Sequence, residues 1–482
     1  MNPQWLNDRN LFERIVVTGE LCLETPTHLG NGDSDGLLDM PLHLDSLKGH
    51  ALLTGTSLAG ALRNYLYRSS PALASKLFGD VWSGPDDTKR SEESRLIIDD
   101  ALGGRPQVEL RDGVAIDPKT RTASDRQKYD IELLQAGTVF PLSFELLLCK
   151  KDARSDLLQA FALALSGLEE GAIPLGKRKR RGYGRCKVDG WRVRRYNMSS
   201  RDGLVAWLAA KSDMDTTEIL SGKKIAELLG VGRLSLPPSA FTLDAFFAVD
   251  GSLLIRSAPP VSSSADTVHL RSERVEDGKR VPRSILSGTS VAGALRARAL
   301  RIANTLGKDG EAFVNDLFGY RPKGKGDKTP MSASRVWVAE TVIEDPIALV
   351  QTRVKIDRFT GGSFPGALFA EEAVFGGDKT RVRLQVTLQE DGDPIRQDAD
   401  IGLLLLLLKD LWTGDLPLGG ESSIGRGRLQ GEYADITIGT QQWTVRSQAD
   451  QLLDVQGPTQ EGTTDALERY VQAFGRWQNA NS

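Results

Sequence analysis

The chain contains two copies of one sequence pattern, and this repeat limits its fold more than any other feature. The segment LTGTSLAGALR at 53–63 returns as LSGTSVAGALR at 286–296, with nine of eleven positions identical. A second long match joins PLGKRKRRGYGR at 174–185 to PLGGESSIGRGR at 417–428. Between them lie three shorter matches at a spacing of 240 residues: Leu-Phe-Gly at 77–79 and 317–319, Ser-Arg at 94–95 and 334–335, and Ile-Asp at 116–117 and 356–357. Five matches in the same order indicate a duplicated domain.

The matches divide the 482 residues into four parts. We expect a first domain at 10–195, a helical linker at 196–239, a second domain at 240–435 and a C-terminal extension at 436–482. The linker has two helix-like patches, GLVAWLAAK and TTEILSGKKIAELLG, and the extension has one amphipathic patch at 465–477.

Each copy has the pattern of a mixed α+β domain. An alternating strand (14–24; 241–258) precedes the G-T-S helix, and further strands (138–149; 381–388) precede a second apolar helix (157–168; 401–412). The glycine loop and a last strand follow. The order β-α-β-β-α-β predicts two tandem ferredoxin-like domains, the arrangement that also underlies RRM-type RNA-binding domains, with inserted hairpins and loops.

Composition excludes several classes of protein. The net charge of −3 means that any nucleic-acid site must come from local clusters of charge. Three scattered cysteines and four histidines, without metal-ligand spacing, argue against zinc and favour the reducing cytoplasm. The most apolar run, at 401–408, is too short to cross a bilayer, so we expect no membrane partner.

The glycine loop of each copy is the first candidate site. Glycines let a backbone approach a ligand and present N–H groups to phosphate. The first loop has six cations within nine residues, which favours a polyanion: Lys177, Arg178, Lys179, Arg180, Arg181 and Arg185. The second loop keeps Arg426 and Arg428 only, so the copies should hold a nucleic-acid backbone with unequal strength.

The start of the G-T-S helix is the second candidate. Free N–H groups, a hydroxyl and an arginine two turns later suit a phosphate. The residues are Ser57 and Arg63 in the first copy and Ser290 and Arg296 in the second. A plain N-cap with a surface arginine is the alternative interpretation.

The third candidate is the acidic loop at 27–45, which contains Asp33, Asp35, Asp39 and Asp45 with His28 and His43. Clustered carboxylates can bind a divalent cation or act in acid–base chemistry, although a solvated loop is the alternative. The spacing rejects an EF-hand, because Leu42 stands where that loop needs Glu. Counting back from Gly288 places the counterpart of Asp39 near Arg271 or Ser272, so the second copy is expected to lack this carboxylate and to be inactive. His269 is taken as the counterpart of His28.

These motifs together resemble the RAMP superfamily of CRISPR systems. The matching features are H-x-G in the first loop, G-T-S-L-A-G-A-L-R at the first helix, and the terminal G-x-G-R loop. The duplicated chain is similar to fused backbone subunits of type III effector complexes, the CRISPR-associated protein 7 type. The resemblance implies partners: guide RNA, target RNA and other type III subunits.

The resemblance also implies roles for particular residues. The helix starts and glycine loops would contact the guide backbone, and hairpins within 99–140 and 340–375, flanking Asp117 and Asp357, would interrupt the guide–target duplex. The family's catalytic aspartate matches Asp39, within Leu38-Asp39-Met40-Pro41-Leu42. Asp39 would then support cleavage of target RNA with Mg²⁺ or another divalent cation, which it could bind, and Asp33 and Asp35 are rivals or helpers.

Two alternatives remain open. The chain could be a non-catalytic RNA-binding scaffold, with Asp39 only shaping its loop. It could also be an endonuclease that processes precursor guide RNA through His28, which predicts cleavage without metal by the isolated chain. Glu273, Glu276 and Asp277 are possible carboxylates of the second copy.

Overall fold

A computed structural model of the chain shows a mixed α+β protein, as predicted. The residues it describes are 11–30, 32, 39–80, 92–117, 120, 122–150, 152–210, 218–232, 239–260, 263–322, 329–390, 392–448, 453–458 and 463–477.

The helices are α1 Gly55–Ser69, α2 Pro71–Phe78, α3 Arg154–Glu169, α4 Arg201–Ala209, α5 Ile225–Leu229, α6 Gly288–Thr305, α7 Gly310–Phe318, α8 Pro394–Trp412 and α9 Thr463–Arg476. Single 3₁₀ turns lie at Lys179–Arg181 and Ser422–Ile424.

The strands of the first half are β1 Leu11–Leu23, β2 Leu52–Leu53, β3 Leu96–Ile98, β4 Ala101–Leu102, β5 Val108–Ile116, β6 Ala123–Leu134, β7 Val139–Cys149, β8 Cys186–Asn197 and β9 Leu220–Gly222. Those of the second half are β10 Phe241–Asp250, β11 Ser252–Leu253, β12 Arg256–Ser257, β13 Thr267–His269, β14 Arg271–Glu276, β15 Lys279–Leu286, β16 Gly319–Tyr320, β17 Ser332–Ala333, β18 Val336–Val338, β19 Thr341–Glu344, β20 Ile347–Ile356, β21 Ser363–Phe375, β22 Arg381–Leu388, β23 Arg428–Ile438, β24 Gln441–Ser447 and β25 Leu453–Gln456.

The two copies have matching main sheets. In the first copy the strand order is β3-β7-β1-β8-β9, and β3, β7, β1 and β8 pair antiparallel. In the second copy β18, β22, β10 and β23 follow in the same order, also antiparallel, and β24 and β25 extend the sheet. Alternation along the sequence places one face of each strand in the core, as in β22, where every second residue is buried.

One apolar helix covers each sheet, and each copy has its own core. Phe161 of α3 packs against Phe144 of β7 in the first copy, and Trp412 of α8 packs against Phe247 of β10 in the second. The extension returns over the second copy, where α9 packs on α8 and buries Tyr470 and Phe474. The short helix α5 packs on α3 in the same way.

The linker differs from the prediction in one place. The patch TTEILSGKKIAELLG was expected to be helical, but Leu220–Gly222 forms β9 at the edge of the first sheet. Only Ile225–Leu229 is helical there, since Gly230 in the left-handed region ends the helix. The strand predicted over 241–258 is also interrupted, because Gly251 turns the chain between β10 and β11.

A long hairpin projects from each copy, within the range expected for it. The first is β5–β6 and the second is β20–β21, with Asp117 and Asp357 at the tips. The second hairpin exposes several large apolar side chains, including Phe359, which is 90% exposed.

An ion pair connects the same two helices in each copy, but with its charges exchanged. Lys76 of α2 lies 2.6 Å from Asp156 of α3, whereas Asp316 of α7 lies 3.2 Å from Arg396 of α8. Exchanged charges at matching places support a duplication followed by paired substitutions.

A buried cluster of charges joins the two copies. Glu340, which follows β18, is enclosed between Arg111 of the first hairpin and Arg274 of β14, whose Nη2 lies 2.6 Å from Glu340 Oε1. Glu109 also contacts Arg111 and accepts a hydrogen bond from Ser272 at 2.9 Å. Burial would raise the pKa of Glu340, but the two guanidiniums outweigh it and hold that pKa below its usual value.

The glycine loop of the first copy lies against the second copy at the same junction. A Cβ at Gly182 would overlap the backbone of Glu340, and one at Gly288 would overlap the carbonyl of Arg181. The two glycines therefore allow a close backbone approach between the copies.

Replacing Glu340 by Ala should loosen this junction. The change leaves Arg111 and Arg274 buried without a carboxylate, which costs about 3 to 5 kcal/mol. Hydrogen exchange of the β14–β15 amides should accelerate accordingly, whereas Glu344→Ala, at an exposed position of β19, should leave it unchanged. Equal exchange in the two variants would contradict a role for Glu340 in holding the copies together.

Candidate functional site

A cleft of about 420 Å³ opens in the first copy where three predicted segments meet. The segments are the first loop, the start of α1 and the glycine loop. Its lining includes His28, Gly30, Gly32, His43, Thr54, Ser57, Gly60, Gly176, Lys177 and Lys179. The structure therefore places Ser57, Lys177 and Lys179 at one site.

The start of α1 forms one wall of the cleft. Thr54 is the N-cap, and its side chain accepts a hydrogen bond from the Ser57 amide at 3.3 Å. Asp100 accepts a bond from the Gly55 amide at 2.7 Å. Arg63 lies 3.7 Å from Asp80 and does not line the cleft. Ser57, rather than Arg63, is thus the residue of this helix that faces a ligand.

His28 forms the floor of the cleft and is almost fully buried. Its Nδ1 lies 2.9 Å from the Glu132 carbonyl and donates to it. A Cβ at Gly30 would overlap His28 Nε2, so this nitrogen faces the loop beside the cleft. Burial lowers the pKa of His28, with Lys177 and Arg178 adding to the effect, so the imidazole is neutral at pH 7.

The cations of the glycine loop divide into two groups. Lys177 and Lys179 line the cleft, and Arg178 stacks 4.3 Å from the ring centre of Tyr129 on β6. Arg180 and Arg181 turn toward the second copy, where they donate to the carbonyls of Ser334, Val336 and Phe318 at 2.6, 3.2 and 3.3 Å. Arg185 is exposed and lies 3.7 Å from Glu24.

The junction concentrates positive charge. Burial, together with Arg296, Arg180 and Arg178, lowers the pKa of Arg181 to about 10. Arg296 of α6 donates to the Gly319 carbonyl and to Asn315 Oδ1. Within the described part of the chain, the hydrogen bonds of these arginines go to neutral oxygens and not to carboxylates. Arg180 and Arg181 therefore bind the second copy in addition to adding positive charge to the junction. The sequence did not predict this contact between the copies.

Asp39 is exposed and fixed to the first hairpin. Its Oδ2 accepts a hydrogen bond from the Asp130 amide at 3.0 Å, and the next residue, Met40, pairs with Ile131 of β6. Lys177 Nζ lies 3.5 Å from Met40 Sδ, which places Asp39 next to the cationic side of the cleft. Asp33 and Asp35 lie outside the described residues.

The buried arginine of the second glycine loop is paired with carboxylates within the chain. Arg426 is buried and lies 3.1 Å from Glu421 and 3.4 Å from Glu371, which also pair with Arg256 and Arg353. Glu421 has a φ of 61° and Arg178 a φ of 58°, each directly before its 3₁₀ turn. One backbone position thus carries opposite charges in the two copies. Arg428 is exposed and Ser290 is half-buried.

The backbone contacts correct two predicted correspondences in the first loops. His28 accepts from the Lys177 amide at 3.0 Å through its carbonyl, and Leu254 accepts from the Gly420 amide at 2.8 Å in the same way. The counterpart of His28 is therefore Leu254, and the prediction of His269 is wrong. His269 is buried, with Nε2 3.0 Å from the Ile285 carbonyl.

The predicted place of the Asp39 counterpart is wrong as well. Arg271 and Ser272 belong to β14, which pairs with β15 in a hairpin. The hairpin lengthens the chain between the first loop and α6, so counting back from Gly288 gave a false position. Glu276 pairs with Arg283 at one end of this hairpin, and Asp277 forms its turn with a φ of 49°.

Sequence reasoning missed the residues that the hairpins bring to the site. Tyr129, Asp130 and Glu132 come from β6, and Glu132 Oε2 accepts from the Leu42 amide at 3.0 Å. Their only sequence signal was the 240-residue spacing of the hairpins, which identifies strands but not what they contact.

Fold and site together define a duplicated α+β protein with a cationic cleft in its first copy. A model of the RAMP superfamily matches residues 20–187 and 250–430, one region in each copy. The matches cover more than half of the chain, which therefore belongs to the RAMP superfamily. Membership indicates a CRISPR-associated subunit that binds RNA. No curated protein sequence matches the chain. No described helix is long and apolar enough to cross a membrane.

The two buried histidines should make stability depend on pH. Burial lowers the pKa of both His28 and His269, so the unfolded chain binds protons that the folded chain does not. The free energy of unfolding should therefore fall as the pH drops through about 6.5, by up to about 1.4 kcal/mol per pH unit for each histidine.

The check is denaturant unfolding from pH 5.5 to 7.5, comparing the wild type with His269→Gln. The variant should show a flatter pH dependence. Burial raises the pKa of Asp400 to about 6, so protonation of this carboxyl makes the free energy of unfolding rise as the pH drops. This contribution is the same in the wild type and the variant. A steeper slope in His269→Gln would contradict the assignment.

Removing the cleft lysines should weaken RNA binding in a salt-dependent way. Each lost phosphate contact reduces the slope of log K against log salt by about 0.7 for a single strand. Lys177→Ala with Lys179→Ala should thus flatten the slope by about 1.4. The matched control in the second copy, Arg428→Ala, should change it less, as measured by filter binding of a guide-length RNA. Equal slopes in all three proteins would remove the lysines from the site.

Proposed function

We propose that the chain is a backbone subunit of a type III CRISPR effector that holds guide RNA and cleaves complementary target RNA through its first copy. The observation that carries the proposal is the position of Asp39. An exposed carboxylate is fixed to the strand of a projecting hairpin, beside a cleft lined by cations.

The domain architecture within this proposal is two tandem ferredoxin-like units. The same strand order recurs in both copies, with one helix between the first two strands of the pattern and another before the last. This order of elements supports two βαββαβ domains.

Guide RNA would lie along the first copy and over the junction. Lys177, Lys179 and Ser57 offer contacts to phosphates, and the half-buried cations Arg181 and Arg296 would attract the backbone as it passes to the second copy. The base sequence would be recognised by pairing with the guide rather than by these residues. Other subunits of the complex would be further partners.

Asp39 would supply one protein ligand to a divalent cation, and the RNA would supply most of the others. Mg²⁺ usually keeps several waters and takes one or two carboxylates together with phosphate oxygens. The described residues contain no cluster of three His, Cys, Asp or Glu side chains for a cage made of protein alone. Asp39, with Oδ2 bonded to an amide, would present its carboxylate to the ion, which would polarise the scissile phosphate.

The chain's own part is to hold the RNA backbone in line for attack. The ribose 2′-hydroxyl forms a bond to the adjacent phosphorus while the bond to the 5′-oxygen breaks, giving a cyclic phosphate and a 5′-hydroxyl. The hairpin β5–β6 would separate the duplex at this point, and Asp39 would orient the 2′-hydroxyl, whose proton passes to solvent water while the leaving 5′-oxygen takes a proton from water.

Asp39→Asn should abolish one cut in the target RNA. Asn keeps the hydrogen bond from Asp130 but loses the charge, so the rate at that cut should fall at least about 100-fold. The measurement is cleavage of labelled target RNA with Mg²⁺ by the complex purified through a tag on this chain. Guide retention and target binding should stay unchanged. An unaltered set of products would leave the chain as a scaffold.

His28 supports a second candidate, the processing of precursor guide RNA. Its neutral imidazole lines the cleft, and its counterpart in the second copy is Leu254, so the histidine is not a feature that the fold requires in both copies. This candidate requires cleavage of precursor RNA by the isolated chain in EDTA, lost in His28→Ala. Cleavage that needs both metal and complementary target excludes it.

A further inference from the structure

The first loop of the second copy contains an aspartate with the same backbone contact as Asp39. Asp266 Oδ2 accepts a hydrogen bond from the Ala370 amide at 2.8 Å, and Asp39 Oδ2 accepts one from the Asp130 amide at 3.0 Å. Ala370 and Asp130 are separated by the 240 residues that relate the two hairpins. Both aspartates are exposed.

The pairing of the following residues fixes this correspondence. Met40 pairs in parallel with Ile131, and Thr267 pairs in parallel with Glu371, again 240 residues apart. Three residues further, the His43 amide donates to Leu29 at 2.7 Å, and the Leu270 amide donates to Ile255 at 2.8 Å. Asp266 is therefore the structural counterpart of Asp39.

From this match we infer that Asp266 is a second catalytic carboxylate, so that the chain cuts target RNA at two places. The inference rests on the proposed function of Asp39. The chemistry is the same: the 2′-hydroxyl attacks the adjacent phosphorus and its proton passes to solvent water, while the bond to the 5′-oxygen breaks and the leaving oxygen takes a proton from water. A divalent cation would be held by Asp266 and the RNA phosphate.

The surroundings of Asp266 differ from those of Asp39 and make the second cut slower. Glu421 replaces Arg178, Gly420 replaces Lys177 and Phe369 replaces Tyr129 at matching backbone positions. The second loop thus offers fewer charge-assisted contacts to a phosphate. We expect its cut to be about tenfold slower than the first.

The test uses the complete complex with its guide, purified through a tag on this chain. Three forms are compared with the wild type: Asp266→Asn, Asp39→Asn and the double variant. Asn keeps the acceptor for the Ala370 amide, so the loop should stay in place. Asp277→Asn is the matched control, because Asn tolerates the left-handed region and Asp277 lies at the turn between β14 and β15. Products of labelled target RNA are resolved over time with Mg²⁺.

The inference predicts that Asp266→Asn removes one slow product and leaves the other, that Asp39→Asn does the reverse, and that the double variant loses both. If only Asp39→Asn alters the products, Asp266 is not catalytic and the proposed function stands. If neither single variant alters them, the proposed function fails as well. Loss of target binding in Asp266→Asn would assign it a structural role instead.

Discussion

The arrangement of the two copies depends on one buried carboxylate. Glu340 can remain ionised in the protein interior only because Arg111 from the first copy and Arg274 from the second enclose it. This requirement ties the hairpin of the first copy to the sheet of the second. It also holds the first glycine loop against the start of α6, where Arg181 and Arg296 meet. Positive charge at the junction is thus a consequence of how the copies dock.

The sequence predicted the elements well because its signals there are local or periodic. Alternation identified β22, and the repeated G-T-S motif identified α1 and α6. The family resemblance implied both hairpins, and the matches 240 residues apart lie at their tips. Local signals failed where long-range pairing decided the register. The correspondence of Asp39 with Asp266 follows from bonds between segments about 100 residues apart. The local hairpin β14–β15 was not predicted either, and it shifted the count from Gly288.

The duplicated backbone has diverged mainly in charge. The left-handed position before the 3₁₀ turn carries Arg178 in one copy and Glu421 in the other, with almost the same φ. In the first copy Arg178 stacks on the ring of Tyr129. In the second copy Glu421 forms ion pairs with Arg353 and Arg426. The same loop conformation therefore carries a cluster of cations in the first copy and an internal network of ion pairs in the second. The shape of a glycine loop alone is a poor guide to what it binds.

The contact made by Arg180 and Arg181 has a consequence for evolution. Both side chains bind main-chain carbonyls of the second copy, at Ser334, Val336 and Phe318, and do not depend on which side chains those positions carry. Substitutions at these positions can accumulate without erasing the acceptors that the arginines recognise. This part of the junction therefore tolerates divergence of the surface it binds, whereas the part built around Glu340 requires particular side chains on both copies.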